Sequence, residues 1–179
     1  IIDAGIHAAS LTKQLLAFSR QNETADTSVD LQKVIEATMP LVKKTINEKI
    51  TVTTRFCKEK LYIGTDYSRF QALILNICVN AGDALKQVEY PEIRFTTDLI
   101  GKDSHLPFSH NINVDDTEYA LMQISNNGAP IPEDIRDKIF DPFFTTKENS
   151  GGTGLGLSMV FSTIQSMNGR IFVDSGKNK

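Results

Sequence analysis

The sequence predicts an α/β protein: a two-layer sandwich of helices on a mixed β-sheet, preceded by one separate helix. Three observations carry the prediction. Apolar residues recur at helical spacing over 31–46, 70–85 and 157–164, and β-branched runs between them read as strands. A glycine-rich loop, Gly152-Thr-Gly-Leu-Gly-Leu157, leads directly into the last helical run.

Residues 1–20 form the first amphipathic pattern. Ala4, Ala8, Leu11, Leu15 and Phe18 recur at alternating spacings of four and three, a narrow seam of the coiled-coil or bundle type that a lone helix leaves open. Gln21 to Thr27 is polar and aperiodic and reads as the linker. Asp30 caps a second helix to about Asn47, with Leu31, Val34, Ile35, Leu41, Val42 and Ile46 inward and Pro40 kinking it. Ile50 to Phe56 is β-branched and predicts a strand.

Asp66 caps a third helix, about Tyr67 to Gln87, whose apolar face is Phe70, Leu73, Ile74, Ile77, Ala81, Ala84 and Leu85. Ile93 to Thr97 and Tyr119 to Ser125 predict strands, and the polar stretch Gly101 to Asp116 between them a variable loop. Pro132 opens a short helix through Ile139. After the glycine loop come a helix of Leu157, Val160, Phe161 and Ile164, ended by Asn168-Gly169, and a strand Arg170 to Asp174.

At 179 residues the chain holds one well-buried domain plus an appendage. A net charge of −3 gives no basic footprint for nucleic acid. Cys57 and Cys78 lack metal-type spacing, and Cys78 lies in an apolar helical run, as a buried structural thiol does. No apolar run approaches the ~18 residues of a membrane span, and Ile1-Ile-Asp-Ala lacks the basic start of a signal peptide, so a cytoplasmic domain is expected. The absence of an initiating Met and an opening in mid-helix lead us to expect a piece of a longer protein.

Two constellations point to chemistry. Glycines at 152, 154 and 156 leave backbone free to lie against a phosphate, and the helix that follows aims free N–H groups at the same anion. The spacing fits neither a Walker loop nor Gly-x-Gly-x-x-Gly. On the third helix Asn76, Asn80, Asp83 and Gln87 follow at intervals of four, three and four, one stripe. A merely solvated face more often carries Lys and Glu, whereas Asn is a poor helix former. Amide oxygens suit Mg²⁺, which takes few protein ligands beside substrate phosphates.

Four segments in order, Leu75 to Leu85, Ile124 to Pro132, Phe140-Asp-Pro-Phe-Phe-Thr-Thr-Lys147 and Gly152 to Leu157, resemble the N box, first glycine box, F box and second glycine box of sensor histidine kinases. These kinases, of the nitrogen-regulation or hybrid type, share an ATPase superfamily with gyrase and a heat-shock chaperone. Leu11 to Arg20 resembles the second helix of their dimerisation hairpin. The resemblance implies a hairpin helix over 1–22 and a catalytic ATP-binding domain over 28–179, with the histidine kinase ATPase fold. It implies phosphoryl transfer from Mg·ATP to a histidine outside this chain, a response regulator as partner and a homodimer through residues 1–20.

The same resemblance assigns roles to residues. Asn80 becomes the Mg²⁺ ligand and Asp83 a neighbour of the phosphates or ribose. Asn76 stands where hydrolysing relatives place a glutamate, and an amide offers no useful base, so ATP hydrolysis is expected to be slow. Lys147 meets the phosphates as a point charge. Asn126, Gly128 and Ile131 bind nucleotide from the first glycine box, and Thr153, Gly154, Leu155, Gly156 and Leu157 from the second. His7, in Gly-Ile-His-Ala-Ala-Ser, lacks the acceptor's context.

Three departures stand out. Asn126 replaces the aspartate that accepts a hydrogen bond from adenine, an expected loss of about 1–1.5 kcal/mol, roughly tenfold in affinity. Pro130 replaces a glycine, and the lid has Ser150-Gly151 where many relatives are basic. The rival reading is a non-catalytic scaffold of the same fold. A gyrase-type hydrolase is disfavoured by Asn76.

Overall fold

The computed structural model describes residues 28–101, 118–147 and 152–176. The expected helix 1–20 with its seam, the linker 21–27, most of the loop 101–116 and the Ser150-Gly151 pair lie outside the described residues.

Helix α1, Leu31–Thr45, starts where Asp30 accepts a hydrogen bond from the Lys33 N–H at 3.1 Å, and ends with Lys43 and Lys44 at its negative pole. Leu31, Val34, Ile35 and Val42 are buried as expected. Two expectations need correction. Leu41 is 41% exposed, and the buried position on its turn is Thr38, whose hydroxyl donates to the Val34 carbonyl at 2.6 Å and so enters the core satisfied. Ile46 is only half-buried, at the helix end. Pro40 stays inside the helix on its exposed face, as does Glu36, whose carbonyl would face the N–H that proline lacks, so the missing bond falls outside the core.

The sheet is mixed and three-stranded. β4, Glu92–Ile100, is central, parallel to β2, Thr51–Arg55, and antiparallel to β5, Tyr119–Asn126. β4 sends Ile93 and Phe95 into the core with no exposure. A short antiparallel pair, β1 (Ser28–Asp30) and β3 (Tyr62–Gly64), was not expected from sequence; its Val29↔Ile63 register brings the start of α1 alongside the segment before α2.

Helix α2, Tyr67–Ala84, packs on both α1 and α3, and the core runs through Ile35, Ile74, Cys78, Ile93, Phe95 and Val160. Asp66 caps α2 by accepting from the Arg69 N–H at 2.9 Å. The helix ends at Ala84, short of Gln87, and Cys78 takes the buried place expected of Ile77 and Ala84, which are half-buried. Burial pushes the Cys78 thiol up to about 12, so it is an inert packing group.

Helix α3, Gly156–Ser166, buries Val160 and Ser158; Phe161 is 39% exposed, its ring resting on Phe140 at 5.5 Å. Asn168 adopts φ 54°, and Gly169 donates to the Ile164 carbonyl at 2.9 Å, closing the helix where the sequence places its stop.

Two expected elements do not form. Residues 132–139 make one 3₁₀ turn, Glu133–Ile135, then further tight turns, with Ile135, Arg136 and Lys138 each bonding back three residues. Only Ile139 is buried there, too little apolar face to hold an α-helix. Arg170–Asp174 keeps the alternating exposure of a strand but joins no sheet. Arg170 lies over the Tyr119 ring at 5.8 Å, and just past the segment Ser175 accepts from Ile131 N–H.

Candidate active site

The polar stripe of α2 lies against the glycine loop. A methyl group on Gly156 would stand 3.7 Å from the Asn76 side-chain oxygen and 3.8 Å from the Asn80 amide nitrogen, so the first turn of α3 and the stripe face each other at contact distance. Asn76, Asn80 and Asp83 are each half-buried, the exposure of a cleft wall and not of a solvated face. Gln87 lies beyond the helix and is exposed.

Lys147 enters from the other side. Its Nζ is 2.5 Å from Asp83 Oδ2 and 3.4 Å from Asn80 Oδ1. Lys86, one turn on from Asp83, adds a second ammonium at 2.8 Å. Burial pulls the Asp83 pKa upward, but the hydrogen bonds and charges of Lys147 and Lys86 outweigh it and hold the carboxyl below its ordinary value. Lys86 was missed by sequence reasoning, although its i,i+3 spacing from Asp83 signals the pair.

The glycine loop is shaped by its neighbours. Gly154 has φ +67°, and a Cβ there would fall 2.3 Å from the Phe143 carbonyl carbon. Phe143 itself has φ 68°, and its N–H donates to the Gly154 carbonyl at 3.0 Å, so two left-handed residues lock the turn after Asp141-Pro142 onto the loop. Gly152 N–H donates to the Lys147 carbonyl at 3.1 Å, which brings both ends of the intervening segment together. Thr153 Oγ1 accepts from Leu155 N–H at 3.4 Å, and Leu155 is buried while Leu157 is half-buried. Leu155 occupies the N-cap of α3 with no side-chain cap, a helix start of the kind that suits an anion.

The loop Asn126–Pro132 flanks the far end of α2. Asn126 Oδ1 accepts from Gly128 N–H at 2.9 Å. Gly128 must be glycine, because a Cβ would stand 2.6 Å from the Ala84 carbonyl oxygen. Ile131 N–H donates to Ser175 Oγ at 2.5 Å, a contact that sequence reasoning missed.

Thus Asn76, Asn80, Asp83, Lys147 and Gly156 come together, and Gly128, bonded to Asn126, lies at the C-terminal end of α2, while Ile131 is tied to Ser175. The first group fits magnesium: the Lys147 ammonium already stands as a cation at the Asn80 and Asp83 oxygens, hard donors of the type Mg²⁺ takes. Among the described residues no three His, Cys, Asp or Glu cluster as a metal site of their own. No helix among them is long and apolar enough to cross a membrane.

Residues 65–179 match the profile of the family described as histidine kinase-, DNA gyrase B-, and HSP90-like ATPase. The sensor kinase CckA of Brucella abortus is 34% identical over 172 residues, 96% of this chain and 18% of CckA. The sensory histidine kinase/phosphatase NtrB of Vibrio alginolyticus is 28% identical, with 98% of this chain and 47% of NtrB covered. The chain therefore spans less than half the length of these curated relatives. Among solved structures, the nucleotide-free catalytic domain of histidine kinase ThkA superposes with a TM-score of 0.59 at 29% identity, covering 79% of this chain and 80% of that one. ThkA in complex with the response regulator TrrA gives 0.65 at 25% identity, covering 94% and 43%.

Proposed function

This chain belongs to the histidine kinase-, DNA gyrase B-, and HSP90-like ATPase family, and from that premise we propose that it is the ATP-binding catalytic region of a sensor histidine kinase in two-component signalling. The observation that carries the proposal is the convergence of Asn80, Asp83 and Lys147 beside the first turn of α3. An amide, a carboxylate and an ammonium beside a helix start with no side-chain cap suit a polyphosphate with its metal.

In this reading Asn80 holds Mg²⁺, and Asp83 lies by the phosphates or ribose. Magnesium held there would offset the charge of the phosphates. Lys147 exchanges Asp83 for phosphate oxygens, and Thr153, Gly154, Leu155, Gly156 and Leu157 line the triphosphate. Asn126, Gly128 and Ile131 take the base. Asn76 supplies no general base, so water is not activated and the γ-phosphoryl is kept for transfer. The P–O bond to ADP breaks as an N–P bond forms to an imidazole outside this chain. The protein contributes positioning and charge stabilisation. A response regulator then receives the phosphoryl group from the whole protein. Residues 28–179 form the catalytic domain and residues 1–22 a hairpin helix, through which the protein dimerises.

Calorimetry with Mg·ATP tests the reading. Binding with a dissociation constant on the order of tens of micromolar to millimolar is expected, and Asn80→Ala should remove its magnesium dependence. Absence of binding at millimolar Mg·ATP, in both wild type and Asn126→Asp, would leave a scaffold as the better reading.

A further inference from the structure

Between Ala129 and Glu133 the loop has one backbone donor, because Pro130 and Pro132 carry no N–H. That donor, Ile131 N–H, goes to the Ser175 hydroxyl at 2.5 Å, across 44 residues of sequence. Ser175 is held in turn: the Arg136 guanidinium donates to its carbonyl at 3.4 Å. Upstream of the prolines the loop is attached by Ala129 N–H, which donates to the Ala84 carbonyl at the end of α2 at 3.3 Å, and by Asn127, whose side chain donates to the Tyr90 carbonyl and accepts from Glu92 N–H, each at 2.8 Å. The prolines fix φ on both sides of Ile131, and the residue before a proline is confined to extended backbone. Within the Pro130–Pro132 unit, the Ser175 bond is the one backbone N–H tie to the rest of the fold.

We propose that Ser175 is a positioning residue for the base subsite: its hydroxyl fixes the Ile131 backbone, and with it the Ile131 side chain, against the purine of a bound nucleotide. The inference rests on the nucleotide reading of the cleft. Ser175 is bonded to Ile131 and Arg136 and not to Asn80, Asp83 or Lys147, so in this reading its influence falls on the base end, while those three serve the phosphate end. An alanine at 175 leaves Ile131 N–H without its acceptor, and the loop trades that bond for water.

The test compares Mg·ATP with Mg·tripolyphosphate, which lacks a base, on wild type, Ser175→Ala and Ser175→Thr. Hydrogen exchange of the Ile131 amide is followed by NMR without ligand. Ser175→Ala is expected to weaken ATP about two- to tenfold, the range of one hydrogen bond, to leave tripolyphosphate unchanged and to speed Ile131 exchange. Ser175→Thr, which keeps the hydroxyl, should restore all three. Equal weakening of both ligands, or unchanged ATP affinity with fast Ile131 exchange, would overturn the positioning role alone. Failure of wild type to bind ATP, with Ile131 exchange still sensitive to Ser175→Ala, would instead overturn the nucleotide reading on which the role depends.

Discussion

The Nζ of Lys147 stands 2.5 Å from Oδ2 of Asp83, joining residues 64 apart in sequence. The pair ties the end of the Phe140–Lys147 segment to the polar stripe of α2. In the nucleotide complex proposed above, Lys147 would leave Asp83 for the phosphates.

The first prediction concerns pH. Burial raises the Asp83 pKa, but Lys147 and Lys86 lower it further, to below the ordinary 3.8. A depressed carboxylate pKa contributes stability above the unfolded value and loses it as pH falls through the folded one. Asp83→Asn should therefore melt lower than wild type at neutral pH, and the gap should close as pH drops below 3.8. Both side chains are partly exposed, so the pair contributes no more than about 1 kcal/mol, a shift of roughly 2–4 °C. Thermal melts showing the same gap at pH 7 and in acid would contradict this.

The glycine loop gives a sharper contrast. Gly154→Ala places a methyl group 2.3 Å from the Phe143 backbone in a left-handed conformation, whereas Gly64 has nothing within 4 Å of the same added atom. Gly154→Ala should destabilise by about 1–3 kcal/mol or more and abolish nucleotide binding. Gly64→Ala should change stability by less than about 1 kcal/mol. Denaturant titrations of the two variants decide it.

Asn126 predicts a gain. Its side-chain oxygen accepts from Gly128 N–H at 2.9 Å, a bond that an aspartate keeps with one oxygen while offering a charged second oxygen to the adenine amine. Asn126→Asp should tighten Mg·ATP by about 1 kcal/mol, roughly fivefold. Calorimetry showing weaker binding in the variant would place the base elsewhere.

Hydrolysis should be slow. Asn76 lies beside the first turn of α3 with an amide where a base would be needed. Phosphate release should run well below ~1 s⁻¹, the lower end of ordinary turnover. Rapid release that vanishes in Asn76→Ala would contradict the assignment.

Much of this arrangement is legible in the sequence because it rests on local signals. Asp30 and Asp66 announce their helices, the Asn stripe follows from helical spacing, and Asn168-Gly169 stops α3 where a left-handed residue is needed. What was missed depends on distant partners. β1 and β3 are three residues each and exist only through their Ser28↔Gly64 ladder. The helix expected after Pro132 fails because Ile139 alone is buried, which periodicity does not reveal. The strand expected at Arg170–Asp174 has the right alternation but no ladder, with Arg170 over Tyr119 and, just past it, Ser175 bonded to Ile131. Phe143 in a left-handed conformation has no sequence signal, since that conformation is imposed by the glycine loop across from it.

Phosphoryl transfer tests the central claim most directly. The chain is incubated with Mg·ATP labelled at the γ-phosphate, with and without a helical hairpin bearing the acceptor histidine, and acid-labile label is followed. The account predicts label on the hairpin histidine only, lost in Asn80→Ala, with none on the isolated chain. Label on His7, or ATP bound with no label on either partner, would contradict it.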